Sequence, residues 1–175
     1  MFRKYSRGFT LVELLVIIGL VGVIFAGTIT LINPAHQLQK GRDAQRKGDL
    51  KTIQQAAELF RADNSRYPMF GSEASPVGGW APASSMVLNI GGVTYLRTIP
   101  TGPSGNSCDY VYMVPGSGNV YSLYTNLENT QDRDATAVKP APAVCSGCSN
   151  NGNVTITINS GSCSGRTYNY WANSP

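Results

Sequence analysis

Four groups of residues in this 175-residue chain could do chemistry. They are a carboxylate at the head of an apolar run, four cysteines, a cluster of acidic and amide side chains, and a band of arginines and lysines. Glu13 is the carboxylate. It lies four residues past Phe9, and from Leu14 to Ala35 no formally charged residue follows. A carboxylate in such a run costs roughly 2.5–3.5 kcal/mol on insertion scales, with Asp as the measured stand-in. Such a group needs a partner. The positive group nearest in sequence would be a new α-amino terminus at Phe9, formed by cleavage after Gly8. A pair within one chain is open. A pair between neighbouring copies is also open, and it would set the axial stagger of bundled helices, which makes Glu13 a register device. The plainer alternative is an interfacial glutamate reaching the headgroups at one end of an ordinary anchor.

Cys108, Cys145, Cys148 and Cys163 all fall in the second half. The Cys145-Ser146-Gly147-Cys148 spacing suggests zinc or redox chemistry. Structural zinc, however, needs a second close pair of ligands, and the lone His36 is far away along the chain. A thioredoxin-like motif needs a βαβ setting, which the pattern lacks. Two structural disulfides in an oxidising space fit better. Three pairings are open; the expected one closes the last hairpin with Cys148–Cys163 and ties the tail to the sheet with Cys108–Cys145. Asn126, Glu128, Asp132 and Asp134 offer hard oxygen ligands for Ca²⁺, but their irregular spacing favours a solvated turn. Lys40, Arg42, Arg46, Lys47, Lys51, Arg61 and Arg66 could track DNA phosphates. Asp43, Asp49, Glu58 and Asp63 are interleaved with them at helical spacing, which suits a solvated face or salt bridges between subunits. Tyr168, Tyr170 and Trp171 read either as an adhesive patch or, by their alternation, as core. No Ser-His-acid arrangement, paired catalytic carboxylates or phosphate-cradling glycine loop emerges, so neither an enzyme, a cofactor nor a metal centre is expected.

These residues need elements to position them. Net charge is +4, but Arg3, Lys4 and Arg7 supply three of the positive charges; without them 11 basic residues face 10 acidic ones. Phe9 to Ile32 is an apolar run of 24 residues, about 36 Å as a helix. That exceeds the ~30 Å bilayer core, and the basic flank would keep its N-terminal end in the cytoplasm. A secretory signal is cut after its apolar region; here the small-residue break, Gly8, comes before it. Asn33-Pro34 predicts a kink or local break. Residues 35–63 read as an amphipathic helix with Leu50, Ile53, Ala57 and Phe60 on one stripe, widened by Ala56 and Leu59. Asp63 to Pro68 ends it with turn residues. Met69 to Ala83 reads as loop, and Met86 to Leu96 as a short helix or extended piece around Ile90-Gly91-Gly92. Thr98 to Asn106 reads as loop. Tyr110–Val114 and Val120–Thr125 form a hairpin across Pro115–Asn119. Thr136 to Ala143 is a Pro/Ala linker, and a last hairpin uses Val154–Ile158 and Arg166–Trp171.

The run Gly8-Phe9-Thr10-Leu11-Val12-Glu13-Leu14-Leu15-Val16-Ile17-Ile18 resembles the class III signal of type IV prepilins and type II secretion pseudopilins. The resemblance implies cleavage between Gly8 and Phe9 by a membrane-embedded prepilin peptidase and N-methylation of Phe9. It also implies an assembly role for Glu13, and Gly22 matches a glycine common in these helices. Asp49–Pro68, Tyr95–Tyr112 and Tyr121–Asn129 are similar to the helix end, loop and strands of major pseudopilins and Gram-positive-type pilins, and the pseudopilins use a calcium site in a nearby loop. Residues 136–175 depart from the compact pseudopilin pattern. The implied fold is α+β, the pilin fold, with a long N-terminal helix packed on a small antiparallel sheet. Residues 1–8 are its leader, 9–32 its transmembrane and assembly helix, 33–66 the amphipathic second half, 67–135 the head and 136–175 a cysteine-containing β extension. The implied function is a structural subunit of a type IV pilus-like filament serving adhesion, motility or DNA uptake. The alternatives are a pseudopilin of a type II secretion system and a membrane-anchored binding domain that never polymerises. Implied partners are further copies of the chain, the peptidase, an inner-membrane platform protein and an assembly ATPase. Nucleic acid is the weaker candidate. The subunit would span the membrane once before assembly, with a cytoplasmic N-terminus, and lie in an extracellular filament afterwards.

Overall fold

Asn33 and Pro34 open the longest helix among the described residues. The Asn33 side chain accepts from the His36 N–H at 3.3 Å, and its carbonyl accepts from Gln37 N–H at 3.3 Å. Asparagine at the N-cap satisfies an orphan donor, and proline at the first helical position loses no needed N–H. The expected break therefore takes the form of a fresh helix start. The computed structural model describes residues 8–29, 33–72, 75–77, 79–139, 143, 148–151, 154–159 and 163–175. Arg3, Lys4, Arg7, the end of the apolar run at residues 30–32, part of the linker and Cys145 lie outside them. The chain forms two compact units, Met1–Gln37 and Leu38–Pro175.

Helix α1 covers Leu11–Ile29 and α2 covers Pro34–Asn64. Strands β1 (Phe70–Ser72), β2 (Ser75–Val77) and β3 (Gly79–Pro82) follow, then β4 (Asn89–Ile90), β5 (Val93–Thr94), β6 (Tyr110–Val114) and β7 (Ser122–Thr125). A short helix α3 (Arg133–Thr136) precedes β8 (Cys148–Asn151), β9 (Thr155–Ile158), β10 (Thr167–Tyr168) and β11 (Tyr170–Asn173). Four strands form an antiparallel sheet in the order β11-β7-β6-β3, and β10-β9-β8 form a second sheet of three. The architecture is α+β, with helices first and antiparallel sheets after them.

Period-two alternation divides the four-stranded sheet between two cores. Tyr110, Tyr112 and Val114 of β6 and Leu123 of β7 pack with Leu50, Ile53, Ala57 and Phe60 of α2. Val111 and Met113 of β6, Tyr124 of β7 and Trp171 of β11 face the other way and pack with Ile156, Ile158 and Tyr168 of the tail. A strand covered on both faces loses its polar positions, and all five residues of β6 are buried. The α2 stripe is as expected except at Leu59, which is 60% exposed. The helix stops at Asn64 because Ser65 turns left-handed at φ 57°, where its N–H reaches the Arg61 carbonyl at 2.8 Å.

Two expectations need correction here, and one open choice is decided. Met69 to Ala83 is not loop: β1 pairs with β2, and β3 joins β6 as an edge of the main sheet. Its Pro82 has no N–H to donate, which an edge strand tolerates. Met86 to Leu96 takes the extended option, as β4 and β5 turn through Gly91 and Gly92 at φ 57° and 80°. Two adjacent positive φ values make a type I′ turn. The last hairpin is the second correction. The Arg166–Trp171 segment splits at Asn169, so β10 stays with β9 while β11 crosses to pair with β7. Asn169 bridges the split: its side chain accepts from Leu127 N–H at 2.7 Å and donates to the Leu127 carbonyl at 3.1 Å.

Candidate assembly site

The start of α1 is a capping box. Thr10 N–H and Thr10 Oγ1 donate to Glu13 Oε2 at 3.1 and 3.0 Å, and Glu13 N–H donates to Thr10 Oγ1 at 3.2 Å. Threonine followed three residues later by glutamate satisfies two orphan donors reciprocally, and the carboxylate also suits the positive end of the helix dipole. Sequence reasoning paired Glu13 with an amine and missed Thr10, although the Thr-x-x-Glu signature was in view. The two partners are compatible, because Glu13 Oε1 accepts no hydrogen bond among the described residues.

Behind Glu13 the helix is apolar all round. Leu15, Val16, Ile17 and Ile18, successive residues about 100° apart around the axis, are 60%, 58%, 47% and 61% exposed. Phe9, just before the helix, is 75% exposed. A helix of this kind belongs in lipid or in a protein core, and an exposed apolar surface this large marks an interaction site. The 19 residues of α1 are about 28 Å long. Among the described residues no helix is long and apolar enough to cross a membrane.

The acidic loop is not a solvated turn. Asp43, 1% exposed on α2, accepts from the backbone N–H groups of Glu128 and Asn129 at 2.9 and 2.8 Å and from Arg46 Nη1 at 2.9 Å. Arg46 Nη2 reaches Glu128 Oε1 at 2.6 Å, and Arg42 Nε clamps both Glu128 oxygens at 3.0 and 2.9 Å. Lys47 Nζ binds Asp132 at 2.9 Å and Asp134 at 2.7 Å. The oxygens considered for calcium are thus occupied by cations of α2; the exception is Asn126, which stays outside the network. Arg42 and Arg46 hold the Glu128 carboxyl below its ordinary range. Burial pushes the Asp132 carboxyl up, but Lys47 and the Asp134 N–H outweigh it and hold it low. Arg42, Asp43, Arg46 and Lys47 of the interleaved charges are therefore used inside one chain, with Asp43 and Arg46 at i, i+3 as the available sequence signal. Among the described residues no cluster of three His, Cys, Asp or Glu side chains could hold a metal.

The disulfide expectation fails. Cys108 bonds to Cys163, with Cα atoms 5.7 Å apart, which excludes both of the expected bridges. The bridge joins the segment entering β6 to the turn between β9 and β10, the two walls of the second core. Cys148 is also disulfide-bonded.

The family described as the prokaryotic N-terminal methylation motif matches residues 3–29. The type II secretion system core protein G of Pseudomonas aeruginosa is 32% identical over 144 residues, covering 77% of this chain and 95% of the relative. Core protein G of Escherichia coli K12 is 26% identical, covering 67% and 79%. The type IV major pilin PilA of Myxococcus xanthus is 30% identical over 81 residues, covering 46% of this chain and 34% of the pilin. No solved structure matches. Since the Pseudomonas relative is matched over nearly its whole length, the chain belongs to the pilin and pseudopilin family, alongside type II secretion core protein G.

Proposed function

We infer that this chain is a non-catalytic structural subunit that polymerises through α1 into a filament of the type II secretion kind. The observation that carries it is the fully exposed apolar helix headed by one carboxylate, Glu13. That surface needs a cover, and lipid before assembly and neighbouring α1 helices afterwards both supply one. Residues 9–32 are the membrane segment in this reading. A prepilin peptidase cuts between Gly8 and Phe9, and Phe9 is methylated. The new amine of one copy meets the open Glu13 Oε1 of the next, while a platform protein and an ATPase drive insertion. Coverage of 95% of a core protein G, against 34% of PilA, puts the secretion pseudopilus ahead of the surface pilus. The surface-filament reading keeps one support, the long tail with its own sheet, fastened to the head by a disulfide.

Mass spectrometry of the native chain tests the first part: it should begin at methylated Phe9, and an assembled chain that still begins at Met1 refutes the reading. Cells lacking the chain test the second. Loss of protein secretion with surface fibres intact is expected, and the reverse result selects the pilus.

A further inference from the structure

A polar pocket of about 340 Å³ opens where α2, the loop before β6, the exit of β7 and the tail meet. That size lies at the small end of ligand pockets, roughly 300–1,000 Å³, and suits a ligand of one ring. Two guanidinium groups line it. Arg46 is 4% exposed and spends two N–H groups on Asp43 and Glu128. Arg166 is exposed, and its guanidinium has no partner among the described residues. Asn126 adds an amide that is likewise unpartnered among the described residues.

Two carboxylates share the lining. Glu128 is clamped by Arg42 and Arg46. Asp109 accepts from the backbone N–H and hydroxyl of Ser104 and sits against Gly102, where an added Cβ would lie 2.3 Å from Asp109 Oδ2. Only glycine permits that approach, so the loop is shaped around this carboxylate. Asp109 and Arg166 line the same space without an ion pair among the described residues. The Cys108–Cys163 bridge fastens the Arg166 wall to the Asp109 wall, and Cys108 itself lines the pocket.

This lining selects a chemistry. A simple anion meets Asp109 and Glu128, and a simple cation meets Arg46 and Arg166. Hydroxyl groups donate and accept at once, so neighbouring hydroxyls on one ring can accept from Arg166 and Asn126 while donating to Asp109. We propose that this pocket binds a neutral saccharide unit. The inference does not rest on the filament reading, because every residue of the pocket lies in the Leu38–Pro175 unit.

Saturation-transfer NMR on the full chain, held in a detergent without a sugar headgroup, tests it. The probes are glucose, galactose, mannose and N-acetylglucosamine, with acetate and methyl phosphate, whose methyl protons report binding, as the anionic arm. Transfer to the ring protons of at least one sugar is expected. Arg166→Ala or Asn126→Ala should weaken it about tenfold, the loss of one strong hydrogen bond, with unchanged thermal melting because both side chains are exposed. Silence from all four sugars overturns the proposal. So does binding of methyl phosphate or acetate alone, or a sugar signal indifferent to both substitutions.

Discussion

Replacing Asp43 with alanine should unfasten the loop after β7 from α2. The carboxylate is 1% exposed and holds two backbone N–H groups and one arginine. Alanine leaves the N–H groups of Glu128 and Asn129 without an acceptor, at about 1–3 kcal/mol each when buried. Arg46 keeps Glu128 as a counter-charge, so the full ~3–5 kcal/mol penalty of a broken buried pair is not added on top. The expected loss is about 3–5 kcal/mol. Arg42→Ala is the internal control. Its side chain is 41% exposed, and an exposed pair of this kind is worth about 1 kcal/mol or less. Urea unfolding of the detergent-solubilised chain, followed by the near-ultraviolet signal of the core tyrosines, measures both. The double variant Asp43→Ala, Arg46→Met should lose less than the sum of the single changes, because the two residues share one network. Asp43→Ala costing no more than Arg42→Ala refutes the reasoning, since the loop would then be held by packing alone.

Replacing Cys108 and Cys163 with serine opens a loop of 55 residues, and chain-entropy arithmetic puts the loss near 4 kcal/mol. The tail should become the first site of proteolysis, and cleavage rates equal to the parent count against its docking by this bridge. Acid should weaken the head through Glu128. Its folded pKa is depressed below the ordinary 4.5, chiefly by Arg42, so its contribution is complete above that value and is lost as pH falls through the lower folded one. Urea midpoints should decline below pH 4.5, and Glu128→Gln should flatten that decline. Glu13→Gln separates the two uses of Glu13: glutamine still serves a capping box but cannot neutralise an amine. Normal filaments from that variant would end the register argument.

The first unit was legible because its signals are local. Glu13, the apolar run and the Asn33-Pro34 start are each read from neighbours in sequence, and the structure places a helix on both sides of that break. The α2 stripe was legible for the same reason, since Leu50, Ile53, Ala57 and Phe60 repeat at helical spacing and are all buried. Leu59 misled because an apolar residue at the stripe's edge looks the same whether buried or exposed. The tail failed for a physical reason. Arg166–Trp171 has uniform strand propensity, and only Asn169 marks the change of sheet, through a bond to Leu127 across 42 residues. Pairing of Cys108 with Cys163 is likewise a consequence of tertiary packing, which spacing does not encode. Gly79–Pro82 is too short and too rich in glycine and proline to read as a strand; its partner β6 makes it one.

In the proposed cycle, the apolar surface of α1 would serve both the stored and the assembled subunit. Lipid tails are as apolar as leucine, so moving α1 from bilayer to helix bundle gains little from the hydrophobic effect. Packing and polar pairing must decide. All but one of the side chains described in α1 are uncharged, so the group whose surroundings change most is the Glu13 carboxylate. The capping box keeps Oε2 satisfied by Thr10 in either place, which limits the desolvation cost while the subunit waits. In that proposal Oε1 is the atom whose partner would differ between the two states, and a small difference at one atom, repeated at every subunit, would fix register. The same economy of contacts holds in the head. Its acidic loop is neutralised within the chain by Arg42, Arg46 and Lys47, so copies can be brought together without a row of like charges opposing them.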